Sequence, residues 1–218
     1  LQDIILSSYT AVPKAQAMQL QLVAKGNLCD TWYKQENCLS NLGPIEDLVL
    51  RDCDENDIPA ITAIYRHHVL NGFGTFEIDP PGEAEMKIRR RVMLAANYPY
   101  LVAELDGKVL GYAYANSYRS RPAYFKTVEN SVYIRDGFQS RGIGRQLLAA
   151  LIEQTAARGF RQMVAVIGDS ENIGSIRLHE KLGFELIGNL RAVGWKQGRW
   201  LDTILMQLPL GAGDTELA

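Results

Sequence analysis

The sequence holds little of what builds metal clusters or disulfide frameworks: three cysteines and three histidines in 218 residues. Cys29, Cys38 and Cys53 have no metal-ligand spacing, and an odd number of thiols argues against a disulfide scaffold. No apolar run approaches the roughly 20 residues that a membrane-spanning helix needs. Charge is nearly balanced, 23 Lys and Arg against 25 Asp and Glu, so no global field recruits nucleic acid. The opening LQDIILSSYTAVPKAQA lacks a basic leader, and IIL is short for the core of a secretory signal. Its first residue is Leu rather than Met, which implies a fragment or a processed chain. These absences leave a cytoplasmic protein with no expected metal, nucleic acid or membrane partner. The 47% hydrophobic and 22% charged content is that of an ordinary globular chain, long enough for one core and a small extension.

Residues 1–46 differ in texture from the rest of the chain. They show weak periodicity, one helical stretch near Ala15 to Ala24, and a break at Gly43-Pro44. They read as a loosely attached arm, with a docking or dimerisation segment as the alternative. Residues 47–210 form the expected domain and 211–218 a tail. Within the domain LVLRDC predicts a strand, and DENDIPAITAIYRHHVL a helix with Asp57 as N-cap and Ile58, Ile61, Ile64 and Tyr65 as its apolar stripe. EAEMKIRRRVMLAAN predicts a second helix whose arginines face solvent. YLVAEL, Asp106-Gly107 and KVLGYAYANSY make a hairpin signal, and TVENSVYI a further strand. RQLLAALIEQTAARG predicts a helix closed by a left-handed Gly159. FRQMVAVIG predicts a strand buried on both faces, SIRLHEKLG a short helix, and FELIGNLR and WLDTILMQL the last strands. This order implies an α/β (α+β) fold with a mixed sheet and helices on both faces.

The segment Gln139-Ser140-Arg141-Gly142-Ile143-Gly144, followed by Arg145, stands at the start of a helix. A helix start carries unpaired N–H groups and the positive end of the helix dipole, and glycines let a phosphate approach them. Spacing alone does not choose between such a cradle and an ordinary strand-to-helix turn. A Walker loop is excluded because no Gly-Lys-Ser/Thr follows, and a dinucleotide fingerprint because the third glycine is missing.

QSRGIG resembles the pyrophosphate loop of the GNAT acyltransferase superfamily. With TVENSVYI, VAVIGDSEN, SIRLHEKLGF and GWKQGRWLDT, the chain from about Leu48 to Leu210 is similar to phosphinothricin acetyltransferases and to methionine sulfoximine and sulfone N-acetyltransferases. The resemblance implies a mostly antiparallel GNAT sheet and transfer of acetyl from acetyl-CoA to the α-amino group of a small amino acid, with no metal. It implies backbone pairing of Val132, Tyr133 and Ile134 with the pantetheine arm, a hydrogen bond from Asn172 to that arm, Glu129 as general base and His179 as proton donor to the thiolate. Phe76, Glu77, Arg121, Pro122, Ala123 and Tyr124 correspond to acceptor-side positions, and a homodimer is implied, with GWKQGRW as a contact surface. His67 and His68 have no supporting motif and read as structural. Acetylation of a protein N-terminus or a polyamine is the alternative activity, the latter calling for an acidic site at Glu77, Asp79 and Glu83. A non-catalytic CoA-binding regulatory module is the alternative of a different class, against which the presence of both Glu129 and His179 speaks.

Overall fold

The computed structural model describes residues 47–216. The expectations for residues 1–46, the helical stretch near Ala15 included, and for 217–218 lie outside the described residues. The chain order is β1 (Val49–Asp52), α1 (Ile58–Asn71), α2 (Glu83–Ala95), β2 (Tyr100–Leu105), β3 (Lys108–Ser117), β4 (Thr127–Ile134), α3 (Ile143–Ala157), β5 (Gln162–Gly168), α4 (Ile173–Glu180), β6 (Glu185–Lys196) and β7 (Arg199–Pro209). The strands make one sheet in the order β1-β2-β3-β4-β5-β7-β6. Every neighbouring pair is antiparallel except β4 and β5, which α3 connects by a crossover. This is the mixed, mostly antiparallel sheet that the sequence implies.

Strand alternation sorts side chains between two helix layers. On one face α3 buries Ile143, Leu147, Leu148 and Leu151 against Ala113, Ala115, Val128, Met163 and Ala165, with Leu178 of α4 at the margin. On the other, α1 buries Ile58, Ile61, Ile64, Tyr65 and Val69, and α2 adds Met86, over Tyr100, Val102 and Tyr112. Each fully buried aliphatic or aromatic side chain contributes about 1.5–3 kcal/mol, so these two layers hold strands β1–β5 between them.

Several local expectations change. Asp57 precedes α1, but its side chain does not cap it. The carboxylate is taken by Arg51, at 2.7 Å to each oxygen, and by the Asp54 N–H at 2.8 Å. The arginines of α2 are not all solvated: Arg89 bonds Glu77 at 2.6 Å, and Arg90 donates to the Cys53 carbonyl. Helix α3 begins at Ile143, two residues before the RQLL pattern, because Gly142 turns the chain in the left-handed region. Gly159 is left-handed as expected, and Lys126 Nζ donates to its carbonyl at 3.1 Å, closing the end of α3. GWKQGRW is the tip of the β6–β7 hairpin, with Trp195 opposite Trp200. Strand β5 is not buried throughout: Val166 is 36% exposed, for a reason that defines the site. Residues 211–216 are turns that keep Gly213 buried.

Candidate active site

Pairing between β4 and β5 joins Thr127–Asn130 to Gln162–Ala165 and stops there. Yet β4 stays paired with β3 as far as Ile134, and β5 with β7 as far as Gly168. The two central strands therefore part. The Arg135 N–H donates to the Leu110 carbonyl at 2.8 Å, so alternation turns the peptides of Val132 and Ile134 into the gap and that of Tyr133 toward β3. The Asp169 N–H donates to the Asp202 carbonyl at 3.0 Å, which by the same rule turns the Val166 peptide into the gap. His68 Nε2 meets the Ile134 carbonyl at 2.8 Å, so that oxygen is spoken for. What remains at Val132, Ile134 and Val166 is an internal strand edge, suited to an extended ligand that carries amides.

The gap opens into a cleft of about 960 Å³. Its wall includes Gln139, Ser140, Gly142, Gly144 and Arg145, together with Asn172 and His179. Gly142 is the N-cap of α3 at φ +82°, and no side chain caps the helix. A Cβ on Gly142 would meet nothing within 4 Å, so the backbone, not packing, requires glycine there, and the first N–H groups of α3 stay bare. A Cβ on Gly144 would meet Leu178 of α4 at 3.4 Å, an ordinary contact. The helix dipole and Arg145 make this end of the cleft fit a pyrophosphate. Two residues of the predicted loop do not line the cleft. Arg141 lays its guanidinium over the Phe138 ring at 5.4 Å, and Ile143 is buried in the core.

Val128 and Asn130 point to the α3–α4 face, so Glu129 between them points to the α1–α2 face. Glu129 is half-buried, and burial raises its carboxyl above the ordinary range while Arg119 pulls the other way. His179 lies on the opposite side of the sheet, buried in the cleft wall. Its Nδ1 meets the Ser175 carbonyl at 2.8 Å and its Nε2 meets Asn130 Oδ1 at 3.0 Å. Burial lowers its pKa, and the Ser175 carbonyl opposes that. The gap thus lies between a raised carboxyl on one face and an imidazole on the other. Asn172 caps α4 by accepting the Ser175 N–H at 3.3 Å, and its amide reaches the Gly168 carbonyl at 3.5 Å.

The acceptor-side positions divide. The loop 72–77 runs beside the gap, and its Gly72, Phe73 and Gly74 line the cleft. Lys196, buried at the hairpin tip, donates to the Gly72 and Thr75 carbonyls at 2.8 Å each, and Tyr65 bonds Thr75 at 3.0 Å. The Phe76 ring presses on Gly168 and Gly194. Glu77 is neutralised by Arg89, which leaves it a poor partner for a polyamine. Arg121, Pro122 and Ala123 lie in an exposed turn away from the cleft. Tyr124 stacks edge-on against Tyr118 at 5.6 Å and lines a separate hollow of about 230 Å³ with Thr127, Gln162 and Val164. Sequence reasoning gives no site role to His68, Asn130 or Lys196. Period-two alternation in TVENSVYI does carry a signal for Asn130, since it sets that residue opposite Glu129. His68 and Lys196 act on backbone carbonyls far away in sequence, for which no local pattern exists.

Among the described residues no cluster of His, Cys, Asp and Glu could hold a metal, and no helix is long and apolar enough to cross a membrane. A sequence model of the family described as "Acetyltransferase (GNAT) domain" matches residues 50–205. Phosphinothricin N-acetyltransferase of Alcaligenes faecalis is 53% identical over 169 residues, 78% of this chain and 84% of its own. L-methionine sulfoximine/L-methionine sulfone acetyltransferase of Pseudomonas aeruginosa is 43% identical over 162 residues, 74% of this chain and 94% of its own. Among solved structures, a GNAT superfamily phosphinothricin acetyltransferase from Sinorhizobium meliloti in complex with acetyl-CoA superposes with a TM-score of 0.76. It is 48% identical and covers 78% of this chain and 92% of that one.

Proposed function

The chain belongs to the GNAT acetyltransferase family, and on that premise we propose that it moves acetyl from acetyl-CoA to the α-amino group of a small amino acid. The acceptors are of the class of phosphinothricin, methionine sulfoximine and methionine sulfone, on which its relatives are named to act. The observation that carries the reading is the gap between β4 and β5. It runs from the bare start of α3, where a diphosphate fits, to the end of the β4–β5 pairing at Asn130, next to the half-buried Glu129.

When bound, acetyl-CoA supplies the activated acyl carbon. Val132 and Ile134 hold the pantetheine arm through their peptides, and a backbone N–H in the gap stabilises charge that develops on the thioester oxygen. Glu129 takes the proton that an incoming ammonium must lose, directly or through a water, and the burial that raises its pKa makes it a stronger base than an exposed carboxylate. His179 delivers a proton to the departing sulfur from the opposite face. Arg89 pairs with Glu77, one of the three carboxylates a polyamine site would call on beside Asp79 and Glu83, which favours the amino-acid reading.

The homodimer belongs to the same proposal. Strand β6 is a sheet edge, and Leu186, Ile187, Leu190, Val193, Trp195 and Trp200 around it are exposed, a surface suited to a second copy. A cytoplasmic location and a role in detoxification belong to the same proposal, the latter resting on resemblance to the relatives named above. The test incubates the protein with acetyl-CoA and a panel of amino acids, polyamines and peptides and follows free thiol. Turnover with the tetrahedral-centred amino acids is expected, and turnover confined to polyamines or peptides would sink the proposal.

A further inference from the structure

His179 is held by a set of partners that do not match a neutral imidazole. Its Nδ1 faces the Ser175 carbonyl and its Nε2 faces Asn130 Oδ1. The Asn130 amide is oriented in turn, because its Nδ2 donates to the Val164 carbonyl at 3.3 Å. Three contacts join four groups, and the outer two are carbonyl oxygens, which only accept. A neutral ring has one N–H. If Nδ1 carries it, the Nε2 lone pair faces the Asn130 oxygen. If Nε2 carries it, the Nδ1 lone pair faces Ser175. Turning the amide over pairs Nδ2 with Nε2 but sets Oδ1 against the Val164 oxygen. Only the doubly protonated ring satisfies all three contacts at once.

Both side chains are buried, Asn130 at 6% and His179 at 4% exposure, so water does not readily repair a mismatch. We propose that Asn130 is a positioning residue for the proton on His179: its side-chain oxygen, fixed by the bond from its own amide to Val164, holds the ring in the doubly donating imidazolium form. The role of that proton, delivery to the leaving sulfur, rests on the function proposed above. Burial drives the ring toward neutrality and the Ser175 carbonyl opposes it; the Asn130 oxygen, 3.0 Å from Nε2, is a second acceptor for the charged form. Around the ring stand Ser175 on its own helix, Asn130 from β4 and the Phe184 ring at 4.9 Å. The charged groups that share its cleft are Arg145, Asp169, Glu171, Arg177, Lys181 and Arg199. Once the proton leaves Nε2, the ring is neutral and one contact is mismatched, which favours reloading from solvent.

The test follows the histidine ring resonances of the full chain by NMR as pH is varied, without acetyl-CoA. The chain has three histidines, and a His179→Gln variant identifies the signal. Asn130→Leu, which removes the acceptor, is expected to raise the acid dissociation constant of His179 about tenfold, and Asn130→Asp, which adds charge, to lower it by a similar factor. The alkaline limb of kcat/KM should move the same way, to lower pH for Leu and higher pH for Asp. If both variants fold and the constant changes by less than about twofold in each, the proposal is overturned. If the Leu variant does not fold, the Asp variant decides by the same criterion. A shifted constant with an unmoved alkaline limb supports the positioning role and removes His179 as proton donor.

Discussion

Phe76 is gripped by two glycines, and Gly194→Ala tests what that grip does. A Cβ at Gly194 would run into Phe76 Cε2 and stand 2.6 Å from Cδ2 and 2.9 Å from Cζ. The other edge of the ring lies so close to Gly168 that a Cβ there would stand 2.9 Å from Cε1, which leaves little room to slide that way. Nor can the loop retreat freely, since Lys196 and Tyr65 hold Gly72 and Thr75. Gly194 is not in the left-handed region, so alanine fits its backbone and the cost is the contact alone. Overpacking of this kind costs about 1–3 kcal/mol. At roughly 2–4 °C per kcal/mol for a domain of this size, the melting temperature should fall by about 3–10 °C. Phe76→Ala alone should cost about 1–2 kcal/mol, because the ring is 37% exposed. In the double variant the clash has no partner, so the two costs should fail to add by about 1–3 kcal/mol. Chemical denaturation of the four proteins measures this. Kinetically, Gly194→Ala should raise KM for the amine and leave KM for acetyl-CoA nearly unchanged. Additivity within about 0.5 kcal/mol would refute the contact argument, and an equal rise in both KM values would refute the assignment of the loop to the acceptor.

Glu129→Gln should lower kcat by about 10²–10⁴-fold and abolish the acid limb of the rate profile, with acetyl-CoA affinity retained in a binding titration. Folding disfavours the ionised Glu129, so its penalty is absent in acid, where the carboxyl is protonated in both states, and complete above the folded-state pKa. The same variant should therefore be more stable than the parent at neutral pH and equal to it in acid, as read by denaturation at both pH values. Gly142→Ala, forced to φ +82°, should lose about 1 kcal/mol of stability and raise KM for acetyl-CoA about tenfold while sparing the amine. Lys196→Met leaves the Gly72 and Thr75 carbonyls without their donor and should cost about 2 kcal/mol in denaturant unfolding, with a raised amine KM.

The fold is legible where side-chain period and turn chemistry act locally. The Asp106-Gly107 hairpin, the α1 stripe and the Gly159 cap are of this kind, since each is set within a few residues. The cradle of Gly142 and Gly144 is legible because bare backbone at a helix start has few other uses once the surrounding motifs are added. Asp57 departs from its expected capping role because an arginine on a preceding strand competes for its carboxylate, and local capping rules do not see that partner. The opening at Val166 is hidden for the same reason: an apolar run does not say where its neighbouring strand departs. Resemblance groups Arg121 with Tyr124, yet the turn that carries them leaves Arg121 exposed and sends Tyr124 to another hollow. Resemblance also pairs Glu129 with His179, but their placement on opposite faces depends on strand parity and on the Asn130 bond.

The parallel seam between β4 and β5 spans only four residue pairs, so it is a short weld between two stiff plates. A guest whose amides bridge both lips acts as a keystone and adds its own binding energy to the cohesion of the whole sheet. Loaded protein should therefore resist heat better in proportion to the logarithm of guest concentration, and deuterium uptake at Val132, Ile134 and Val166 should slow together.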